Sequence, residues 1–213
     1  MDDEYDIVPA TIDDTERIAE FMRQTFCKYE PLNMSIGAPP NRPTETMRSI
    51  KYLSQGTSLM TITRSGLIIG VAINGESSLG EKEEMSKPNY QHESYKKIDE
   101  FFKKFESGYN VWELTGTDRG LFLNILSVDP IAGGKGIGKA MMKKTREIAK
   151  AKGYPLLGVL CTSHYSARIA KSIGMECVYR LPYSEYKNEN GEQVFVPPPP
   201  HKEAAVFVQK LSS

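Results

Sequence analysis

The sequence predicts an α/β fold with a mixed central sheet of about seven strands flanked by helices, and three observations carry that prediction. Two apolar runs on either side of Ser65-Gly66 read as neighbouring antiparallel strands. "LFLNILSV", a glycine-rich loop, an amphipathic run and "PLLGVLC" succeed one another as strand, helix and strand, and both strands are apolar on each face, as parallel strands covered by helices are. With 213 residues the chain has enough length for a core that needs no disulfides, so a single domain over 1–213 is expected.

The elements follow in order. A short strand is read in "YDIVPA". Residues 13–30 place Ile18, Phe21, Met22, Phe26 and Tyr29 at helical spacing, with Asp13 and Glu16 as a capping pair and Pro31 as the stop. A second helix is expected over 44–55, then the hairpin "SLMTITRSGLIIGVAINGES", a polar surface loop over about 76–93, and a helix over 94–107. Beyond "LFLNILSV" and its loop, Ile137, Met141, Thr145 and Ile148 share one helix face, and Lys152-Gly153 closes that helix before "PLLGVLC". A helix from about Ser163 to Ile173, a strand around "MECVYRLPYSEY", a turn at "NENGE" and a last strand "EAAVFVQKL" after "PPPPH" complete the chain.

Composition narrows the function classes. Lys plus Arg and Asp plus Glu both total 27, so no excess positive charge awaits nucleic acid or anionic lipid. The three cysteines, Cys27, Cys161 and Cys177, are far apart and form no CxxC pair, which argues against a disulfide framework or a metal site and for a reducing compartment. The acidic start and the lack of any run near the ~20 apolar residues of a membrane span lead us to expect a soluble, cytoplasmic monomer.

The loop "GGKGIGKA" holds four glycines in six positions, more than a turn requires, and suggests a phosphate cradle. The dinucleotide pattern GxGxxG fails because Lys139 stands where the third glycine belongs. The nucleoside-triphosphate pattern GxxxxGK[ST] fits from Gly133 to Lys139 but ends on Ala140, which has no hydroxyl for Mg²⁺. A diphosphate held by backbone N–H groups and a helix N-terminus needs neither.

"LNILSVDPIAGGKGIGKAMMK" resembles the strand, loop and helix of the GCN5-related N-acetyltransferase (GNAT) superfamily, whose R/Q-x-x-G-x-G/A loop binds acetyl-CoA; Gly133 stands where that family has Arg or Gln. "FCKYEPLN", "CTSHYSARIAKSIGM" and "PPPPH" are similar to segments of the insect arylalkylamine N-acetyltransferases, and together the resemblance spans residues 5 to 210. It implies a GNAT fold and acetyl transfer from acetyl-CoA, without a metal, to a primary amine of the dopamine, serotonin, tryptamine or octopamine class. It further implies that Leu126, Ser127, Val128, Gly133, Gly134, Lys135, Gly136, Ile137, Gly138, Lys139 and Ser166 hold the cofactor. Glu30, Pro31, Ser163 and His164 would meet the amine, and Glu30, Thr162, Ser166 and His201 would serve the chemistry.

The chemistry asks for such residues. A primary alkylammonium with a pKa near that of Lys must give up a proton worth roughly 4 to 5 kcal/mol at pH 7 before it can attack a thioester. Glu30 is the candidate base, placed at the end of an amphipathic helix where burial would raise its pKa. Thr162, Ser163 and Ser166 gather hydroxyls at a helix start, where capping is their common use, and the resemblance implies that Thr162 or Ser166 returns a proton to the leaving thiolate. Cys161 closes an apolar strand and reads as an inert buried thiol rather than an acetyl-accepting nucleophile. Leu32, Met34 and Ile36 offer apolar surface for an aromatic amine or for the core alike. Other acceptors (histamine, a polyamine, a protein amine) and a module that binds CoA without turnover remain open alternatives.

Overall fold

The computed structural model describes residues 4–80 and 92–211. Seven strands, β1 (Tyr5–Pro9), β2 (Leu59–Thr63), β3 (Ile68–Ser78), β4 (Arg119–Val128), β5 (Leu156–Cys161), β6 (Glu176–Pro182) and β7 (Glu203–Lys210), form one sheet in the order β1-β2-β3-β4-β5-β7-β6. Only β4 and β5 run parallel, because the helix between them carries the chain back across the sheet; every other neighbouring pair is antiparallel. The hairpin turns at Ser65-Gly66 as expected, with Gly66 at φ +80 and its N–H donating to the Thr63 carbonyl.

The crossover helix α6 (Ile137–Ala151) packs its apolar face on β4 and β5 through Ile137, Met141, Met142 and Ala149, all buried. Each large side chain among them contributes about 1.5–3 kcal/mol by leaving water. The opposite face of β3 and β4 is covered by α1 (Thr15–Gln24) through Ile18, Phe21 and Met22.

The single helix expected over 13–30 is three pieces: α1, α2 (Phe26–Tyr29) and α3 (Pro31–Ser35). Thr25 breaks the first at φ −120, ψ −80, and its buried hydroxyl donates back to the Phe21 carbonyl at 2.7 Å, an alternative to the helical ladder that Thr readily takes. The expected Asp13–Glu16 cap is instead made by Thr11, whose N–H and hydroxyl both donate to Asp14 Oδ2. The helix expected over 44–55 is a pair of 3-10 segments, Thr44–Thr46 and Arg48–Gln55. The surface loop expected at 76–93 lies mostly outside the described residues; 76–78 belong to β3, and α4 (Glu93–Glu106) begins at Glu93. A short helix, α5 (Val111–Thr115), arises where Asn110 Oδ1 accepts from the N–H groups of Trp112 and Glu113. The final helix, α7 (His164–Ser172), starts from Ser163, whose hydroxyl oxygen caps the N–H groups of Tyr165 and Ser166.

Two irregularities position the site. Opposite β3, the pairing jumps from Ile73↔Ile125 to Asn74↔Leu123, so Asn124 is an extra residue in β4. The bulge reverses which face the following side chains take: Leu121 and Leu123 pack under α6, whereas Ile125 packs with α1. In addition, β4 and β5 share only the pairs Leu121↔Leu157, Phe122↔Gly158 and Leu123↔Val159. Beyond Leu123 the two strands part, leaving the inner edge of β4 without a ladder partner.

Candidate active site

The parting of β4 and β5 opens a cleft of about 2120 Å³ that runs from the glycine loop, between the strand ends, to α2, α3 and α4. That is about twice the upper end of the ~300–1,000 Å³ of a pocket for one drug-sized ligand, so a long ligand and a second small one fit end to end.

At one end lies the loop. Gly133, Gly134, Gly136, Ile137, Gly138 and Lys139 line the cleft, as do Leu126, Ser127 and Val128 of the free β4 edge; Lys135 does not. Gly136, at φ +76, is the residue from which α6 starts, and no side chain caps the first N–H groups of the helix. An added Cβ at Gly133 would stand 2.9 Å from the Pro130 carbonyl oxygen, so the tight turn over Pro130–Ala132 is built for glycine there. Free N–H donors, the positive helix end and Lys139 form a cradle suited to a diphosphate, and the unpaired edge of β4 suits a chain of amides. Arg168 and Lys171 of α7 add positive side chains to the lining; sequence reasoning missed them, although their spacing from Tyr165 and Ser166 along α7 was a usable signal.

At the middle lies Glu30. It ends α2 and caps α3, where its Oε2 accepts from the Asn33 N–H at 2.9 Å. Glu30 thus ends a helix as expected, and the break before Pro31 also turns the chain so that its carboxylate meets the start of the next one. The residue is only 7 % exposed, and Oε1 has no hydrogen-bond partner. Burial pushes its pKa up, while the N–H groups of Asn33 and Leu32 and the nearby Thr162 hydroxyl act in the opposite sense. The Thr162 hydroxyl acts on the carboxyl without completing a hydrogen bond to Oε1, which is buried at the wall of the cleft.

Glu30, Pro31, Thr162, Ser163 and Ser166 all line this cleft. Ser166 Oγ donates to the Ser163 carbonyl at 3.0 Å. The buried Tyr183, which sequence reasoning did not single out, donates its phenol to the Thr162 carbonyl oxygen at 2.6 Å, and burial raises its pKa far above the usual value. His164 and His201 fall outside the lining. They meet each other instead: the His164 N–H donates to His201 Nδ1 at 3.1 Å, and burial first, then the neighbouring His164, lowers the pKa of His201. Cys161 is 1 % exposed, lies outside the lining, and burial raises its thiol pKa to about 12, so it is no nucleophile at neutral pH.

The far end is walled by one face of α4, Tyr95, Ile98, Asp99 and Phe102, with Pro39, Arg42, Met47 and Arg48 beside it. Leu32, Met34 and Ile36 do not line it: Leu32 is core, Ile36 packs against that core, and Met34 is 43 % exposed. The C-terminal segment after β6 contributes nothing to the lining among the described residues. No group of three or more His, Cys, Asp or Glu side chains suited to a metal occurs among those residues, and no helix among them is long and apolar enough to cross a membrane.

No family model matches the chain. Among solved structures, arylalkylamine N-acetyltransferase 2 of Aedes aegypti superposes with a TM-score of 0.90 at 29% identity, covering 98% of this chain and 100% of that one. A Drosophila melanogaster polyamine N-acetyltransferase that catalyses the formation of N-acetylagmatine gives 0.84 at 25%, with 98% and 100% covered. NAA60 of Arabidopsis thaliana in complex with acetyl-CoA, at 15% identity, 98% and 99% coverage and a TM-score of 0.57, shares the fold. Fold and neighbours define an acyltransferase of the GNAT superfamily. Its neighbours within that superfamily include insect arylalkylamine N-acetyltransferases.

Proposed function

We propose that the protein transfers the acetyl group of acetyl-CoA to the primary amine of a small arylalkylamine, of the dopamine, serotonin, tryptamine or octopamine class, by direct attack within a ternary complex. The observation that carries this reading is Glu30: a buried carboxylate with one unpartnered oxygen, on the same cleft as the uncapped start of α6 and the free edge of β4.

Acetyl-CoA supplies an activated acetyl thioester. The residues of the loop and the edge of β4 hold its diphosphate and amide arm, leaving the thioester end toward Glu30 and Thr162. Glu30 takes a proton from the ammonium group, directly or through one water, and its raised pKa makes it a better base than an exposed carboxylate. As the C–N bond forms, the C–S bond breaks and its electron pair leaves on sulfur. A hydroxyl at the start of α7, Thr162 or Ser166, returns a proton to that sulfur. The amine loses two protons in all: one passes through Glu30 to solvent, and the other balances the thiolate.

An aromatic amine suits the walls better than a diamine. Tyr95, Ile98 and Phe102 present ring and aliphatic surface, and the Asp99 carboxylate is already engaged by Arg48 at 2.6 Å and Lys103 at 3.5 Å. The test is release of free CoA thiol from acetyl-CoA with a panel of arylalkylamines, agmatine, histamine, polyamines and lysine peptides. Intersecting double-reciprocal lines with an arylalkylamine preference are expected. Parallel lines would contradict direct attack, and activity confined to agmatine or to peptides would contradict the substrate class.

A further inference from the structure

The acceptor end of the cleft holds a guanidinium that the chemistry above does not use. Arg42 lines the cleft beside Tyr95, with its Cζ 4.7 Å from the centre of that ring. Its Nε and Nη2 donate to Thr46 Oγ1 at 3.3 Å and to the Thr46 carbonyl at 2.8 Å. Both are neutral oxygens, and among the described residues no carboxylate forms an ion pair with Arg42 and no acceptor takes a hydrogen bond from Nη1. Its neighbour Arg48 forms the ion pair with Asp99, whose charge reaches Arg42 without pairing with it. A half-buried guanidinium is normally matched by an anion or by a full set of acceptors, because its fork of donors is costly to leave partly unmet. The Cys27 thiol lies within electrostatic reach of both Arg42 and Glu30, and all three line the same cleft.

We propose that Arg42 is a specificity-determining residue that receives, through its free guanidinium edge, an oxygen at the far end of the acceptor amine, such as a phenol or catechol hydroxyl. The inference rests on the reading of the cleft as an amine acetyltransferase site. Tyr95 is held in place by donating its own hydroxyl to the Pro39 carbonyl at 2.6 Å, so the ring that backs the guanidinium is fixed. A substrate with a hydroxyl there satisfies the spare donor, an unsubstituted ring leaves it unmet, and a second cation is repelled by it. The ordering expected is a phenolic arylalkylamine first, the same amine without the oxygen second, and a dication such as agmatine last.

Tyramine and phenethylamine differ only in that oxygen, which makes them the decisive pair. In the unaltered protein kcat/KM for tyramine should exceed that for phenethylamine about tenfold or more, the value of one hydrogen bond to a charged group. Arg42→Met, which keeps the aliphatic stem, should bring the ratio near one and raise relative turnover of agmatine. Arg42→Lys should keep the exclusion of agmatine while losing part of the tyramine preference. Calorimetric binding of acetyl-CoA and the melting temperature report whether each variant is folded. Equal kcat/KM for the two amines in the unaltered protein overturns the proposal without any variant, as does a preference that survives in folded Arg42→Met. Turnover of no amine at all overturns the acetyltransferase reading itself, and this assignment with it.

Discussion

The phenol of Tyr183 donates to the backbone carbonyl of Thr162 at 2.6 Å, from a side chain that is 1 % exposed. Thr162 follows β5 and precedes the Ser163 cap of α7, so this bond holds the segment that turns from the sheet toward the base. Tyr183→Phe removes the bond and little volume. We expect a stability loss of about 1–2 kcal/mol by urea unfolding, since a partly buried carbonyl loses its donor, with kcat reduced and KM for acetyl-CoA unchanged. An unchanged kcat in a destabilised protein would make Tyr183 a packing residue only.

Thr25 links the helical layer to the sheet: Ser127 Oγ donates to its Oγ1 at 3.0 Å while that hydroxyl donates to Phe21. Thr25→Val leaves the shape and strands the Ser127 hydroxyl. A loss of about 1–3 kcal/mol in chemical denaturation is expected, together with lower kcat, because the turn at Thr25 leads into α2 and Glu30.

Restoring the arginine that the superfamily has at position 133 should not help. A Cβ there meets the Pro130 carbonyl oxygen at 2.9 Å, so Gly133→Arg must shift the turn over Pro130–Ala132. Calorimetry should find acetyl-CoA binding no tighter, and weaker if the shift reaches Gly134 or Gly136; a gain of about tenfold in affinity would show that the added charge outweighs the strain.

Stability and activity should oppose each other at Glu30. Its folded pKa is raised, so the folded state binds a proton more tightly than the unfolded chain, and stability falls as pH rises from the ordinary glutamate range through the raised value. Glu30→Gln removes the buried charge, and its melting temperature should exceed that of the unaltered protein at neutral pH. The advantage should shrink toward acid, where Glu30 is itself protonated. An equal difference at every pH would contradict a raised pKa.

The sheet and its crossover were legible because apolar strands, the Ser65-Gly66 turn and the glycine loop are local signals. The break of α1 was not, because it depends on Thr25 preferring the Phe21 carbonyl and Ser127 over the helical ladder, and Ser127 is far away in sequence. The loop residues and Glu30 could be named from motif and spacing, but the helix start that receives Glu30 could not, since Pro31 reads as a stop and not as the first residue of α3. Arg42, Tyr183 and the α4 wall are assembled by packing alone.

The most direct test of the whole account is the pH dependence of kcat/KM for acetyl transfer to tyramine, measured side by side in the unaltered protein and in Glu30→Gln. With Glu30 as base, the unaltered protein should show an acidic limb along which the rate rises as the carboxyl ionises, and the variant should lose that limb and fall by about 10²–10⁴-fold. A variant that keeps both the limb and the rate would contradict it.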